Sequence, residues 1–190
     1  MTERYRYDVE VLHLLVSPAH AYFGRARDGA ADVPTTDADR VALVAGKGIV
    51  GDRFFGKAAH MDAAVTVMAV EALEDIASGL AAEPFDPLLA RRNVILRGAQ
   101  LHPLLGLEFE LESAGDVVRL KAGRPAHPCV WMDRMLAPGA HAAMRGRGGV
   151  RCQVLADGAL HRGPAVLVSP VLLEPDRAGE ATIRRPSRLP

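Results

Sequence analysis

The chain has 190 residues, of which 49% are hydrophobic and 24% charged, as is typical of a single globular domain with its own core. Lysine plus arginine balance aspartate plus glutamate at 23 each, which disfavours dedicated nucleic-acid-binding and membrane-surface proteins because both carry a basic excess. The sequence shows no secretory signal and no apolar run approaching the ~20 residues of a membrane span. Two cysteines are too few for a disulfide scaffold. We therefore expect a cytoplasmic protein that binds neither nucleic acid nor membrane.

Short strands dominate the predicted elements, with a few helices between them. Alternating or short apolar runs predict the strands. Val70, Leu73 and Ile76 form an apolar stripe that ends at Gly79 and predicts a helix, and Pro138 opens a second helix. In chain order we predict strands at 9–17, 40–46, 65–69, 93–96, 108–113 and 116–123, helices at 70–79 and 138–145, and three strands between 149 and 168.

These elements predict the fold class. A turn at Ala114–Gly115 predicts a hairpin between two of the strands, and the polar residues 24–40 predict a long surface loop. Strands and helices do not alternate regularly, so a doubly wound parallel sheet is disfavoured. We predict a mainly β (α+β) domain over residues 1–170, a barrel-like mixed β-sheet with a few short helices. Residues 171–190 are predicted to be a poorly ordered C-terminal tail.

The two cysteines occupy contrasting contexts. Cys152 alternates with Val150 and Val154 on one face of a predicted strand, which is typical of a small buried hydrophobic residue. Cys129 follows a proline in the stretch 124–135, which looks like neither strand nor helix. Proline stiffens the backbone and removes a hydrogen-bond donor, so this stretch fits poorly in a sheet interior. We therefore expect Cys129 to be at least partly accessible.

Two interpretations of Cys129 stay open from the residues alone. The neighbouring cationic residues Lys121, Arg124 and His127 could favour the thiolate, the nucleophilic and metal-binding form of cysteine. Alternatively, Cys129 is a loop cysteine packed under Trp131. In the first case we expect it to be catalytic and to react with alkylating reagents much faster than the other cysteine.

Two further stretches contain candidate anion-binding residues. Asp52, Arg53 and His60 lie among glycines in residues 48–60, and glycines let the backbone approach a ligand closely; the alternative is a solvated connection. Paired arginines match phosphate or carboxylate bidentately. One such pair precedes a predicted strand together with an asparagine, and a second lies in the glycine-rich residues 145–149. The alternative for both is that the arginines stabilise the fold and bind no ligand. The residues concerned are Arg91, Arg92, Asn93 and Arg147.

Several familiar site types have no support in the sequence. The glycine-rich stretch 48–60 lacks the Gly-Lys-Ser/Thr of a phosphate-binding P-loop. No pair among the seven histidines and two cysteines has the spacing of a zinc motif. No serine lies in a nucleophile elbow.

Five stretches, taken together and in this order, resemble the MOSC family, named for the C-terminal domain of molybdenum cofactor sulfurase. The resemblance extends from about residue 46 to 168. It is carried by GIVGDRFFGK, VTVMAVEALEDI, ARRNVILRGAQLHPLLGLEFEL, HPCVWMDR and GRGGVRCQVLADGALHRG. One departure is the final turn, where the family has Gly-Asp and this chain has Gly163–Pro164, which lacks a backbone donor.

The resemblance implies a barrel-like fold and a role in molybdenum-cofactor sulfur chemistry. Cys129 would carry sulfur as a persulfide or act as a molybdenum ligand. The cofactor, molybdopterin with molybdenum, would be bound by Asp52, Arg53, His60, Arg91, Arg92, Asn93, His127 and Arg147. Pyridoxal phosphate would belong only to a partner, such as a cysteine desulfurase; a redox partner is the other protein partner implied.

Three functions stay open at this point. The first is a molybdenum-cofactor-binding domain that transfers sulfur or performs redox chemistry. The second is a non-catalytic molybdopterin carrier in which Cys129 is only a ligand. The third is a thiol enzyme acting on an unrelated electrophile or small sulfur compound. For the first two, we expect residues 91–93 to face the same cavity as Cys129, with Asp52, Arg53 and His60 on another wall.

Overall fold

The computed structural model describes residues 4–181, which form eleven strands and three short α-helices. None of these helices is long and apolar enough to cross a membrane. The strands are β1 (Tyr5–Val16), β2 (Thr36–Asp37), β3 (Arg40–Val44), β4 (Gly48–Ile49), β5 (Val65–Ala69), β6 (Val94–Arg97), β7 (Glu108–Ser113), β8 (Asp116–Pro125), β9 (Val150–Val154), β10 (Gly158–His161) and β11 (Gly163–Ser169). The helices are α1 (Val70–Gly79), α2 (Trp131–Met135) and α3 (Ala140–Ala143).

Seven strands close into a mixed β-barrel in the order β11-β7-β8-β9-β5-β6-β1, with β1 returning to β11. Every pairing around the barrel is antiparallel except β5 with β6, which are parallel and joined through α1. Strands β10, β3 and β4 form a separate small sheet. The predicted mainly β, barrel-like fold with short helices is confirmed.

Strand β1 closes the barrel because it is long enough to pair on both sides. Residues 5–11 pair with β11, and residues 10–14 pair with β6. The register with β6 shifts between Val11 and His13, an irregularity that bends a strand and increases its twist. Beyond this point the end of β1 pairs with β2, and the chain enters the loop that lies beside the candidate site.

Two apolar clusters form the core. Alternating side chains of the barrel strands, such as Phe109, Leu111 and Val118, point inward and fill the barrel. A second cluster lies outside the barrel, where Met68 of β5 packs with the helices and with Trp131. Strand β5 is therefore buried along its whole length, which explains why all its residues except Thr66 are apolar.

The predicted elements agree closely with the observed ones, with three corrections. Strands β2 and β4 were not predicted, and β2 lies within the stretch predicted to be a surface loop. The helix at 70–79 and the hairpin at Ala114–Gly115 are confirmed, whereas the helix predicted at 138–145 covers only residues 140–143. The stretch 124–135 was expected to be irregular throughout, and this is wrong. Strand β8 continues to Pro125 and residues 131–135 form α2, because tertiary burial of the first two residues of α2 stabilises a helix too short to form alone.

The predicted tail begins at residue 171, and its described part contacts the domain. Leu173 and Ala178 are buried in the barrel cluster, and the Leu173 amide donates a 2.6 Å hydrogen bond to the hydroxyl of Tyr7. Residues 182–190 of the predicted tail lie outside the described residues, as do residues 1–3.

Glycine at position 149 is required by a close approach of two strands. Its φ is +84°, and a Cβ atom there would overlap the carbonyl oxygen of Val67. We expect Gly149→Ala to lower the free energy of unfolding by about 2–4 kcal/mol, through an unfavourable φ together with overpacking. Gly115→Ala is the matched control, since its φ is +87° with no neighbouring atom within 4 Å; it should cost only about 1–2 kcal/mol. Urea unfolding measures both, and equal losses would contradict the steric explanation.

Candidate functional site

The two cysteines differ as their sequence contexts predict. Cys129 is exposed and lies in the irregular segment between β8 and α2. Its carbonyl oxygen accepts a 3.0 Å hydrogen bond from the amide of Met132 in α2. Cys152 is fully buried in the barrel core, and this burial raises the pKa of its thiol. The accessible thiol of this protein is therefore Cys129.

Arg92 holds the segment that leads to Cys129. Its side chain is buried, and its Nε donates to the Gly148 carbonyl at 2.9 Å. Its Nη2 donates to the carbonyls of Ala126 at 3.4 Å and His127 at 3.3 Å. Backbone carbonyls occupy these two nitrogen atoms, so Arg92 positions the Cys129 segment. A Cβ atom at position 148 would overlap the Ala126 carbonyl oxygen, which explains the glycine beside this arginine.

Burial also perturbs the Arg92 cation. It lowers the pKa of the Arg92 guanidinium to about 10, with a further lowering from nearby Arg151, while a thiolate at Cys129 acts in the opposite direction. Within residues 4–181 no carboxylate forms an ion pair with Arg92. The positive charge is therefore available to an anion at or near Cys129.

Arg91 lies over an aromatic stack next to α2. Its backbone is left-handed at φ +51°, and its guanidinium lies 5.5 Å from the ring centroid of Tyr22, a cation–π arrangement. Tyr22 stacks on Trp131 with centroids 5.4 Å apart, and burial raises the pKa of Tyr22 to about 12, so it stays neutral. Among residues 4–181, Arg91 donates side-chain hydrogen bonds only to neutral oxygens, those of Thr35 and Ala19.

Asn93 serves the framework of the site. Its Oδ1 accepts from the amide and the hydroxyl of Thr66 at 3.0 and 2.9 Å. Its Nδ2 donates to the Leu15 carbonyl at 3.2 Å and to the Asp52 carboxylate at 3.1 Å. The predicted ligand contact from Asn93 therefore has no support in the geometry, because all four hydrogen-bonding positions of this amide are occupied.

Asp52 and Arg53 form a buried ion pair next to this framework. Their closest atoms are 3.4 Å apart, with side-chain exposures of 0% for Asp52 and 8% for Arg53. The other Asp52 oxygen accepts from the Phe54 amide at 3.1 Å. Asp52 is thus a positioning residue for Arg53 rather than a group open to a ligand, since its oxygens are buried and hydrogen-bonded.

His60 and Arg53 lie around the ring of Phe54. The His60 and Phe54 ring centroids are 4.6 Å apart, and the Arg53 guanidinium lies 4.8 Å from the Phe54 centroid. His20, which the sequence analysis did not single out, lies against the same ring at 5.1 Å. A cavity of about 370 Å³ opens here, called the Phe54 cavity below; it is lined by His20, Arg53, Phe54, Lys57, Ala58, Ala59 and His60.

His127 and Arg147 are the predicted site residues with the fewest contacts. His127 is exposed, and Arg147 is half-buried. In the described part of the chain neither side chain takes part in a hydrogen bond or ion pair, although the His127 carbonyl is bound by Arg92. Both stay available to a ligand.

No group of three histidine, cysteine, aspartate or glutamate side chains within residues 4–181 could hold a metal ion. A metal at Cys129 would therefore have to arrive with most of its own ligands.

Four arginines give the site a local positive charge that the neutral chain average conceals. Burial lowers the pKa values of Arg53, Arg91, Arg92 and Arg151, and repulsion by other members of this group lowers those of Arg53 and Arg92 further. The one buried carboxylate paired with them is Asp52, so an anionic ligand would relieve their repulsion.

Comparison with known proteins places the fold. No family model matches the sequence, and no curated protein matches it. The crystal structure of YuaD from Bacillus subtilis is similar, with a TM-score of 0.69 and 18% identity over 90% of this chain and 100% of that chain. YiiM from Geobacillus stearothermophilus is similar with a TM-score of 0.57 and 18% identity over 84% and 74% of the two chains. For YiiM from Escherichia coli the TM-score is 0.55, with 19% identity over 92% and 76%. These likenesses show that the chain shares its fold with YuaD and the two YiiM proteins.

The cysteines should separate in a labelling experiment. We expect iodoacetamide at neutral pH to modify Cys129 much faster than Cys152, because the first thiol is exposed and the second is buried with a raised pKa. Peptide mass spectrometry after timed labelling gives both rates in one sample. Preferential labelling of Cys152 would contradict the assignment.

The two cysteines should also differ in stability. Cys129→Ser should leave the melting temperature almost unchanged, since the residue is exposed. Cys152→Ser should lower the free energy of unfolding by about 1–3 kcal/mol, because it buries a hydroxyl in the barrel core. Thermal and urea unfolding of the two variants test this, and a large loss in Cys129→Ser would show that Cys129 is a packing residue.

Asn93→Ala should destabilise the protein by about 1–3 kcal/mol, because it leaves Thr66 and Asp52 with buried groups that lose partners. Gln100→Ala is the matched amide control, since the Gln100 side chain accepts a single exposed hydrogen bond, from the Glu174 amide. Urea unfolding distinguishes the two. Equal stability losses would show that the Asn93 hydrogen bonds add nothing beyond those of an exposed amide.

Proposed function

We propose that this protein is a stand-alone MOSC-domain protein that binds the molybdenum cofactor, a phosphate-bearing pterin, and handles sulfur through Cys129. The observation that carries the proposal is the juxtaposition of an exposed thiol with buried arginines that have almost no carboxylate partners. A matching ligand has an anionic group that binds the arginines and a second group that reacts with or coordinates the thiol. The MOSC-like fold and the sequence stretches that resemble the family support the same assignment.

The donor set fits the cofactor in two respects. Arginines recognise phosphate through charge-assisted hydrogen bonds, and Arg53 is a candidate to hold it. Arg91 and the half-buried Arg147 are further candidates to contact the cofactor. Only one thiol is offered to the metal and no three-residue metal site exists among the described residues, which suits a metal already held by the dithiolene sulfurs of its pterin. When bound, the cofactor would supply a redox-active molybdenum centre. Cys129 would provide one thiolate beside it.

Cys129 can take up sulfur without any oxidant or reductant. Its thiolate attacks the outer sulfur of a donor persulfide, R–S–SH; the donor S–S bond breaks as the new S–S bond forms, and the donor leaves as the thiolate R–S⁻. The products are a Cys129 persulfide and R–S⁻, so electrons and protons balance. The exposed position between β8 and α2 lets a protein donor reach the thiol, and Arg92 fixes the backbone of this segment. A cysteine desulfurase, carrying its own pyridoxal phosphate, is the partner class that supplies such a donor.

Native mass spectrometry of protein purified from a host that makes the molybdenum cofactor tests this function. We expect a pterin-sized non-covalent adduct and, after incubation with a persulfide donor, a gain of one sulfur atom at Cys129. Cys129→Ser should lose the sulfur gain. Cys152→Ala is the matched control, since it removes the other thiol without burying a hydroxyl, and it should keep both adducts.

The outcomes separate the three functions. A pterin adduct without sulfur on Cys129 indicates a carrier. Sulfur or electrophile adducts on Cys129 without any pterin indicate an unrelated thiol enzyme. Absence of both adducts in the unmodified protein would overturn the proposal.

A further inference from the structure

Two residues that line the Phe54 cavity each carry a buried polar atom without a partner. Within residues 4–181, only three buried side-chain nitrogen or oxygen atoms lack a hydrogen bond, and two of them, Arg53 Nε and His60 Nδ1, belong to residues that line this cavity. A buried donor left unpaired costs about 1–3 kcal/mol. Native structures rarely keep such groups without a reason.

The charges around the cavity are positive. Arg53 and Lys57 line it as cations, and no carboxylate is among the lining residues. Asp52 lies next to Arg53, but its side chain is fully buried and hydrogen-bonded to Asn93 and Phe54. The lining residues with cationic or imidazole side chains are Arg53, Lys57, His20 and His60.

The two imidazoles add donors in a fixed arrangement. His20 and His60 lie on the same Phe54 ring, at 5.1 and 4.6 Å between centroids. Burial lowers the pKa of His20, with further lowering by Arg53 and Arg91, so His20 is neutral at pH 7 and offers one N–H. Packing against one ring holds these donors together before any ligand arrives, which reduces the entropy lost on binding.

We infer that the Phe54 cavity is a binding subsite for the phosphate group of a small organic phosphate, held by Arg53, Lys57, His20 and His60. Its volume of about 370 Å³ is at the lower end of small-molecule pockets and leaves room for part of the molecule attached to the phosphate. Planar guanidinium and imidazole donors match the oxygens of a phosphate monoester.

Phosphate binding in the Phe54 cavity is a property of that cavity. That the phosphate is the cofactor's rests on the proposed function. Arg91 connects the two regions: its Nη2 donates to the carbonyl of Ala19, the residue before His20, at 3.3 Å, and its guanidinium lies over Tyr22. Tyr22 in turn stacks on Trp131 at the start of α2. A ligand with its phosphate in the Phe54 cavity would thus extend past Arg91 towards Cys129.

Phosphate binding to the purified protein tests the inference directly. Titration with inorganic phosphate and with phenyl phosphate, followed by ³¹P NMR line broadening or calorimetry, gives the dissociation constants. We expect Lys57→Met to weaken binding of both probes by about fivefold, and Arg53→Lys by about tenfold or more because it removes the planar donor pair. Lys47→Met is the control, since it makes the same charge change at an exposed lysine outside the lining and should bind as the unmodified protein does.

If Arg53→Lys fails to fold, Lys57→Met still tests the subsite. Lys57 is exposed, and its replacement leaves the buried Asp52–Arg53 ion pair intact. Equal affinities in Lys57→Met and the unmodified protein, or an equal loss in Lys47→Met, would overturn the subsite. The probes contain neither pterin nor sulfur, so the result is independent of Cys129 chemistry. Sulfur loading of Cys129 without phosphate binding overturns the subsite alone, whereas phosphate binding without any pterin or sulfur adduct supports the subsite and overturns the proposed function.

Discussion

The buried side chain of Asn93 is the contact on which the arrangement of the site depends. It hydrogen-bonds to Thr66 in β5, to the Leu15 carbonyl in β1 and to the carboxylate of Asp52. Three segments distant in sequence are thereby fixed relative to one another at the start of β6. Arg91 and Arg92 immediately precede this residue, so the same amide fixes the backbone from which their side chains extend. Through Asp52, which pairs with Arg53, it also helps to position the Arg53 guanidinium. A fully satisfied buried polar network of this kind specifies one arrangement.

The site keeps its positive charge because most of its arginines are held by uncharged partners. Arg92 is held by backbone carbonyls, Arg91 by neutral oxygens and an aromatic ring, and Arg53 by one carboxylate. Partial dipoles and π-electrons stabilise a cation without cancelling its charge, so the field remains available to an anion. A chain with zero formal net charge can therefore present a cationic region.

Much of the fold was predictable because its signals are local. Alternation in strands such as β7, the stripe of α1 and the turn at Ala114–Gly115 each specify their element within a few residues. The short helix α2 was missed because its stability comes from burying Trp131 and Met132 against side chains remote in sequence. The sequence also predicted the contrast between the exposed Cys129 and the buried Cys152. It predicted a ligand contact from Asn93 beside the paired arginines, and it did not predict the hydrogen bonds that this side chain makes to Thr66, Leu15 and Asp52.

The sequence by itself determined the fold class, the identity of the accessible thiol and the presence of cationic stretches, since these follow from short-range patterns of polarity and stiffness. Only the tertiary structure decided which arginines serve the fold and which stay available. Hydrogen bonds from Arg92 to Gly148 and Ala126 span large sequence separations, and no local pattern encodes them. The same holds for His20, which lies in a loop without a distinctive motif and joins Phe54 and His60 only when the barrel closes. Which polar atoms remain without partners is a property of the packed chain, because every donor is satisfied by water until burial removes it.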